Sequence, residues 1–228
     1  MTEPRDPPLL CVTGMRRTGT TWLTRILADA LGVASSTRDF TWDTLEVAKW
    51  DAAVYRLDRP GRLIRRGHWT VTSYPYWESP VICIIRDPRA MMASKIVFDN
   101  KEDRPLAHTH WRIGVDQQHS EWRDFYCGWM DRGVPILRYR DLHERPLETI
   151  KTALAACDIP VPTDERIVRS IEWNEFGRMV REGRKNALMR RGKLGGWRDE
   201  LPIKTQKHIE KVCGDIMEQF GYIVGEEP

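Results

Sequence analysis

The chain has 228 residues, of which 41% are hydrophobic and 30% charged, with a formal net charge of +3. This length suits one α/β domain with a substantial core, and we expect a single domain over residues 1–228. The weak basic excess favours an anionic small ligand over nucleic acid, and no apolar run approaches the about 20 residues that span a membrane, so we expect neither partner.

The first segments predict a strand, a glycine loop and a helix. Residues 8–14, PLLCVTG, form a short apolar run typical of a buried strand, and residues 20–32, TTWLTRILADALG, have apolar side chains along one side. Between them, Gly14 and Gly19 have the G-x-x-x-x-G spacing of a phosphate-binding loop. The sequence therefore predicts an anion site at the helix N-terminus, where backbone amides and the helix dipole favour negative charge.

The middle of the chain has a weaker pattern. Residues 33–80 show no clear period, although 45–57 have the pattern of an amphipathic helix and 68–77 that of an exposed or edge strand. Residues 81–89, VICIIRDPR, predict a second buried strand that ends in a charged turn and is followed directly by a helix. Residues 100–118 are polar and predict a loop.

The last part of the chain alternates helices with a third strand. We predict helices at 119–133, 146–157, from 163 onward and at 203–222, a strand at 134–142 and a basic glycine loop at 186–197. Alternating strands and helices favour an α/β three-layer sandwich, with a central parallel sheet flanked by helices in a P-loop-like arrangement. Ligands in such sheets bind at the carboxyl ends of the strands, where this sequence has three polar clusters: Gly14–Thr21, Arg86–Arg89 and Tyr139–Asp141.

The glycine loop departs from the nucleoside-triphosphatase pattern at one position. Those loops place a lysine directly after the second glycine, where it contacts the β- and γ-phosphates. Here Thr20 follows Gly19, so γ-phosphate chemistry lacks its main cation. Arg17 stands two residues before Gly19, where it can reach a phosphate that leaves. The other candidate donors of the loop are Arg16, Thr18, Thr20 and Thr21.

The segment Arg17-Thr18-Gly19-Thr20-Thr21-Trp22 resembles the 5′-phosphosulfate loop of the sulfotransferases that use 3′-phosphoadenylyl sulfate (PAPS). Three further segments resemble that family in the same chain order: IIRDPRAMMASK, VPILRYRDLHERPLETIKTAL and LMRRGKLGGWRDEL. Together the four segments extend from residue 9 to about residue 221. The resemblance implies PAPS as donor, 3′-phosphoadenosine 5′-phosphate (PAP) as product, and no metal.

The resemblance also implies roles for individual residues. Arg17, Thr20 and the loop amides would neutralise charge on the 5′-phosphate. Trp22 and Phe176 would face the adenine, with ordinary core packing as the alternative for both, and Tyr139 belongs to the Tyr-x-Asp-Leu segment of the donor site. The candidates for the 3′-phosphate are Arg86, Ser94, Arg190, Arg191 and Gly192.

The general base is the least determined part of the sequence prediction. The family commonly uses a histidine that follows a basic residue by two positions, and Arg66-Gly67-His68 fits that local pattern. The interval from His68 to Arg86 is shorter than in animal cytosolic members, and an exposed loop histidine is the alternative reading. Because bacterial relatives can use a carboxylate instead, Glu46 and Asp43 are the reserve candidates.

We therefore expect in-line sulfuryl transfer to a hydroxyl or amine of a small-molecule acceptor. A P-loop kinase of a nucleoside or small metabolite and a nucleotide-binding module without turnover are the alternatives. Five cysteines without metal-type spacing, and an N-terminus unlike a secretory signal, favour a cytoplasmic location. The family's dimer motif matches only partly at 198–207, so we expect a monomer or a homodimer formed elsewhere.

Overall fold

The structure is a computed structural model that describes residues 8–36, 63–101, 110–175, 178, 181 and 194–222. The described part contains one five-stranded sheet with the order β2-β3-β1-β4-β5. All four neighbouring pairs are parallel. The strands are β1 (Leu10–Thr13), β2 (Ala34–Ser36), β3 (Leu63–Arg66), β4 (Val81–Ile85) and β5 (Ile136–Arg138).

Helices and one 3₁₀ turn connect these strands. The described helices are α1 (Thr20–Leu31), α2 (Pro88–Lys101), α3 (His110–Asp131), α4 (Tyr139–Glu144), α5 (Pro146–Ala155), α6 (Asp164–Trp173), α7 (Trp197–Glu200) and α8 (Ile203–Gln219), and the 3₁₀ turn is Val71–Ser73. None of the helices in this part of the chain is long and apolar enough to cross a membrane.

Strands β1 and β4 in the middle of the sheet are buried along their whole length, as parallel strands covered on both faces should be. Their side chains alternate between two hydrophobic clusters. Cys83 and Ile85 pack with α3 and α8 residues such as Trp129 on one face. Ile82 and Ile84 pack with residues of α1, α5 and α6 on the other. The helices therefore form one layer on each side of the sheet, as the sequence predicted.

The predicted strand at 68–77 is wrong. Thr70 and Ser73 close a 3₁₀ turn there by reciprocal hydrogen bonds, because the Ser73 amide donates to the Thr70 hydroxyl and the Thr70 amide donates to the Ser73 hydroxyl. The strand of this region is β3, whose sequence LIRR includes two arginines and lacks the apolar run of a buried strand. Arg66 is nevertheless only 8% exposed.

Three other element predictions need correction. α3 begins at His110, so a helix occupies much of the stretch predicted as a loop. The third predicted strand is shorter than expected, because the chain turns into α4 at Tyr139 directly after β5. β2 was not predicted at all, since Ala34–Ser36 has no strand-like pattern. The predicted helix at 45–57 lies outside the described residues.

The parallel arrangement brings four chain segments to one edge of the sheet. Since every strand runs in the same direction, the residues after β1, β3, β4 and β5 meet at the carboxyl edge. These segments contain the glycine loop, Gly67-His68, Arg86 and Tyr139. β1 lies between β3 and β4, so the glycine loop has His68 on one side and Arg86 on the other.

Candidate active site

The glycine loop packs tightly against the neighbouring strand β4. A Cβ atom on Gly14 would lie 2.6 Å from the Ile84 carbonyl oxygen and 2.8 Å from Thr18 Oγ1, so only glycine fits. Thr18 is fully buried, and its hydroxyl donates to the Met15 carbonyl at 2.7 Å. The Thr18 hydroxyl therefore helps to shape the loop from within, whereas the sequence counted it only as a donor to the ligand.

Tyr126 holds the start of this loop from helix α3. Its hydroxyl accepts a hydrogen bond from the Met15 amide at 3.3 Å and donates one to the Ile84 carbonyl at 2.9 Å. The side chain is completely buried, and burial raises the pKa of the phenol well above its usual value. The hydroxyl thus keeps its proton and both bonds. Sequence reasoning missed Tyr126, because an aromatic residue in a helix gives no sign of a contact 111 residues away.

Helix α1 begins directly behind the loop. Gly19 is its N-cap with φ +99°, and the first backbone bond joins the Leu23 amide to the Gly19 carbonyl at 3.0 Å. The amides of residues 20–22 precede that bond and have no acceptor within the helix. Thr20 is 3% exposed. Thr21 is half-buried and Arg16 is exposed.

Three predicted phosphate-binding residues meet beside the helix N-terminus. Arg17 Nε donates to Ser94 Oγ at 3.1 Å, and Arg86 Nη1 donates to the Arg17 carbonyl at 3.0 Å. Arg17 has φ +72°, a left-handed conformation that accompanies this contact with Arg86. The cluster therefore joins the glycine loop, the end of β4 and helix α2. Whether it binds phosphate stays a prediction.

An aromatic group borders the same cluster. The Tyr139 ring lies against the backbone of Gly19, where a Cβ atom would be 2.7 Å from the ring. The Arg86 guanidinium lies 4.4 Å from the Tyr139 ring centroid. Trp22 packs edge-on against Tyr139 at 6.0 Å and donates its indole N–H to the Asn174 carbonyl at 2.9 Å. Trp22 and Tyr139 thus lie together beside the cluster, and the predicted contact of Trp22 with adenine stays a prediction.

His143 was not predicted but belongs to this aromatic group. Its ring centroid lies 4.7 Å from those of both Trp22 and Tyr139. Burial, together with the positive charge of Arg86, lowers the pKa of His143, so its ring is neutral near neutral pH. His143 lies one helical turn after Tyr139, a relation that the sequence prediction missed because it assigned residues 134–142, including Tyr139, to a strand.

His68 reaches the loop from the opposite side. The Gly67 amide continues the β3 ladder by donating to the Val12 carbonyl at 3.0 Å. His68 Nδ1 then lies 2.5 Å from the Gly14 carbonyl oxygen. A carbonyl oxygen only accepts, so Nδ1 carries a proton, and Nε2 is the nitrogen that can accept one in the corresponding neutral tautomer. That tautomer is the one a general base requires.

The backbone after His68 is fixed by two side chains. The Trp69 carbonyl accepts hydrogen bonds from Thr13 Oγ1 at 3.2 Å and from Trp129 Nε1 at 3.0 Å. Trp129 is fully buried in the core. The position of His68 therefore depends on the packing of α3 against the sheet.

A cavity opens on the β4–β5 side of the cluster. Its wall includes the residues Arg86, Arg89, Tyr139, Gly195, Trp197 and Arg198. The described chain resumes at residue 194, directly after the predicted basic glycine loop. Several predicted site residues lie outside the described residues: Asp43, Glu46, Phe176, Arg190, Arg191 and Gly192. Within the described residues, no group of three or more His, Cys, Asp or Glu side chains is placed to hold a metal ion.

A family comparison decides between the candidate functions. The sulfotransferase-domain family model matches residues 7–221. The chain belongs to the sulfotransferase family. This confirms the resemblance inferred from the four sequence segments and does not favour the kinase alternative.

The curated sulfotransferases that match this chain share low sequence identity with it. Carbohydrate sulfotransferase 3 of Mus musculus is 25% identical over 172 residues, which cover 65% of this chain and 34% of that protein. The Homo sapiens protein of the same name is 23% identical over 167 residues, with 65% of this chain and 34% of that protein covered. The chain thus spans about a third of the length of these relatives.

Solved sulfotransferase structures share the fold. Mouse sulfotransferase SULT7A1 complexed with PAP has a TM-score of 0.68 at 16% identity, over 95% of this chain and 85% of that chain. Retinol dehydratase in complex with androsterone and PAP has a TM-score of 0.66 at 15% identity, over 94% and 82%. The predicted α/β fold, with a central parallel sheet between helical layers, is confirmed.

Proposed function

We propose that this protein transfers a sulfuryl group from PAPS to a hydroxyl or amine of a small-molecule acceptor. The observation that carries the proposal is the linked group of Arg17, Ser94 and Arg86 beside the amide-lined N-terminus of α1. The family membership and the PAP bound in the solved relatives support it. We treat the chain as one sulfotransferase domain.

The geometry suits a nucleotide with two separate phosphates. The amides of residues 20–22 and the Arg17 side chain bind the 5′-phosphate, with the exposed Arg16 nearby. Arg86 and Ser94 bind the 3′-phosphate, together with the predicted Arg190, Arg191 and Gly192. A single hydrogen bond of 3.1 Å separates Arg17 from Ser94, so the two anion sites are neighbours, as the two phosphates of one ribose are.

The aromatic group supplies the adenine site. Trp22 and Tyr139 offer ring surfaces next to the cluster, and the Arg86 contact orients Tyr139. Phe176 is the proposed third aromatic residue. An adenine base stacked here would place its ribose close to Arg86. Arg86 then favours nucleotides that carry a 3′-phosphate over nucleotides such as ATP, which lack one.

The transfer step assigns different tasks to the two sides of the loop. Bound PAPS supplies an activated sulfuryl group whose leaving group is the 5′-phosphate. His68 Nε2 takes the acceptor proton while the acceptor oxygen or nitrogen bonds to sulfur and the bond from sulfur to the phosphate oxygen breaks. Arg17 and the loop amides stabilise the charge that develops on the 5′-phosphate. Glu46 and Asp43 are the reserve bases.

Labelled transfer from PAPS to a panel of phenols, alcohols, sugars and amines tests the activity. On the best acceptor, His68→Gln should lower kcat by about 10²- to 10⁴-fold, the usual contribution of a general base. The affinity for PAP, measured by calorimetry, should remain unchanged. His208→Gln on α8 is the matched control. If His68→Gln keeps the parent kcat, His68 is not the general base and Glu46 and Asp43 become the candidates. The variants Glu46→Gln and Asp43→Asn then test these two residues.

Nucleotide binding tests the donor assignment separately. PAP should bind more tightly than AMP, which lacks the 3′-phosphate, and more tightly than ATP. Arg17→Ala should mainly lower the rate of transfer, whereas Arg190→Ala should mainly weaken PAP binding. Equal affinity for PAP and AMP would refute the donor assignment whatever the transfer assay shows.

We also infer a cytoplasmic protein that acts on a small molecule without a metal, nucleic acid or membrane partner. The five cysteines are all free thiols, and Cys11, Cys83 and Cys213 are buried, which supports a reducing compartment. A thiol count after unfolding without reductant should give five.

The oligomeric state is proposed to be a monomer or a dimer that does not use the usual family motif, and analytical ultracentrifugation can test it.

A further inference from the structure

Arg89 lies in the first turn of α2 and is 3% exposed. Its guanidinium forms two ion pairs, one from Nη2 to Asp87 Oδ2 at 2.9 Å and one from Nη1 to Glu210 Oε1 at 2.6 Å. Two carboxylates thus accompany this one cation. The charge of Arg89 is therefore already compensated within the protein.

The same guanidinium packs on Trp197. Arg89 Cζ lies 4.0 Å from the Trp197 ring centroid, and the Trp197 side chain is 6% exposed. The segment after Trp197 is tied to α8, because Gln206 Nε2 donates to the Arg198 carbonyl at 3.1 Å and to the Leu201 carbonyl at 2.8 Å. Arg89 therefore connects the end of β4, helix α8 and the segment that follows the predicted basic loop.

These contacts define one wall of the cavity beside Arg86. Gly195, Trp197 and Arg198 form that wall, while Arg86 and Tyr139 belong to the strand-end side. The Arg89–Trp197 contact joins the two sides. A displacement of Trp197 would therefore move the wall relative to Arg86, although Arg89 itself binds no nucleotide.

We propose that Arg89 is a positioning residue for the donor's 3′-phosphate, acting through Trp197 on the cavity wall at 194–198. The proposal rests on the proposed function, because the cavity is taken to receive the 3′-phosphate side of PAPS. A buried ion pair is often no more stabilising than apolar residues of the same volume, so stability alone does not account for a buried arginine with two carboxylates here.

Calorimetry with PAP and AMP tests this role in Arg89→Met and Trp197→Leu. Both variants should lose about 10- to 100-fold in PAP affinity, the scale expected when the cavity wall is misplaced by about 1 Å. Both should keep the parent affinity for AMP. In the transfer assay, KM for PAPS should rise while kcat changes little. Arg89→Lys should recover part of the loss at most, because lysine lacks the planar guanidinium that pairs and stacks at once.

Arg123→Met is the matched control. Arg123 also pairs with a carboxylate of α8, Asp215, at 2.6 Å, but the two side chains are 44% and 52% exposed. This variant should leave both nucleotide affinities unchanged.

The outcomes separate the two proposals. A parent protein that binds PAP no more tightly than AMP refutes the proposed function. If the parent discriminates and both Arg89→Met and Trp197→Leu discriminate equally well, the positioning role is refuted. It is also refuted if these variants lose PAP and AMP affinity in parallel, since that indicates general structural damage. Should Arg89→Met fail to fold, Trp197→Leu decides alone, because it keeps both ion pairs.

Discussion

Replacement of Gly19 by alanine tests the contact between the glycine loop and Tyr139 at the start of α4. The residue has φ +99°, and an added Cβ would lie 2.7 and 2.8 Å from Cδ2 and Cε2 of Tyr139. A left-handed alanine costs about 1–2 kcal/mol, and an added methyl group in a packed site costs about 1–3 kcal/mol. Gly19→Ala should therefore destabilise the protein by about 2–5 kcal/mol, which lowers Tm by about 4–20 °C in a chain of this size.

Two other glycines serve as controls that separate the cost of backbone strain at Gly19 from the cost of the contact between the added Cβ and Tyr139. Gly133 has φ +70°, but nothing lies within 4 Å of its added Cβ, so Gly133→Ala should cost only the strain of about 1–2 kcal/mol. Gly214 lies within α8 with the same open surroundings, so Gly214→Ala should stabilise the protein by about 0.5–1 kcal/mol. Thermal unfolding followed by circular dichroism measures all three. If Gly19→Ala costs no more than Gly133→Ala, the Tyr139 ring does not pack on the loop as described.

Further predictions concern buried and ion-paired groups. Tyr126→Phe removes a hydroxyl that pairs with a loop amide and a β4 carbonyl, and chemical denaturation should show a loss of about 1–3 kcal/mol; an unchanged midpoint would contradict these bonds. Burial opposes ionisation of Asp141, but Arg138 and a second arginine outweigh it and lower the pKa. The resulting stability is present above the unfolded pKa of about 4 and is lost as the pH falls through the lower folded value, so Asp141→Asn should flatten the acid limb of the stability curve. Burial raises the pKa of Cys11 and of Cys213 to about 12, so iodoacetamide at about pH 8 should label them only after unfolding, as peptide mass spectrometry can show; rapid labelling of the native protein would argue against their burial.

The predicted elements succeeded where the chain's local pattern is unambiguous. β1 and β4 are continuous apolar runs, and the glycine spacing between β1 and α1 has few structural readings. The prediction failed where tertiary contacts override the local pattern. β3 contains two arginines, yet Arg66 is buried in the sheet. The aromatic segment 68–77 contains a 3₁₀ turn closed by Thr70 and Ser73, and the Trp69 ring packs on Tyr74 and Tyr76.

The candidate site shows the same division. Arg17, Arg86 and Ser94 were predicted from the resemblance of their segments to the sulfotransferase family, and the structure brings them together. Tyr126, His143 and Arg89 were not assigned roles from the sequence. Their contacts join residues that are distant in the chain or lie in a misassigned element, and no local spacing encodes such contacts.

The amino-acid sequence by itself determined the family, the phosphate-type loop and the alternation that makes a parallel sheet, because these depend on residue types and spacing over short stretches. Only the tertiary structure decided that His68 meets the Gly14 carbonyl, that Tyr139 lies on Gly19 and that Arg89 joins β4 to Trp197. The reason is physical. The order of the strands and the packing of the helices set which distant residues share the carboxyl edge, and that order follows from burial of the whole core.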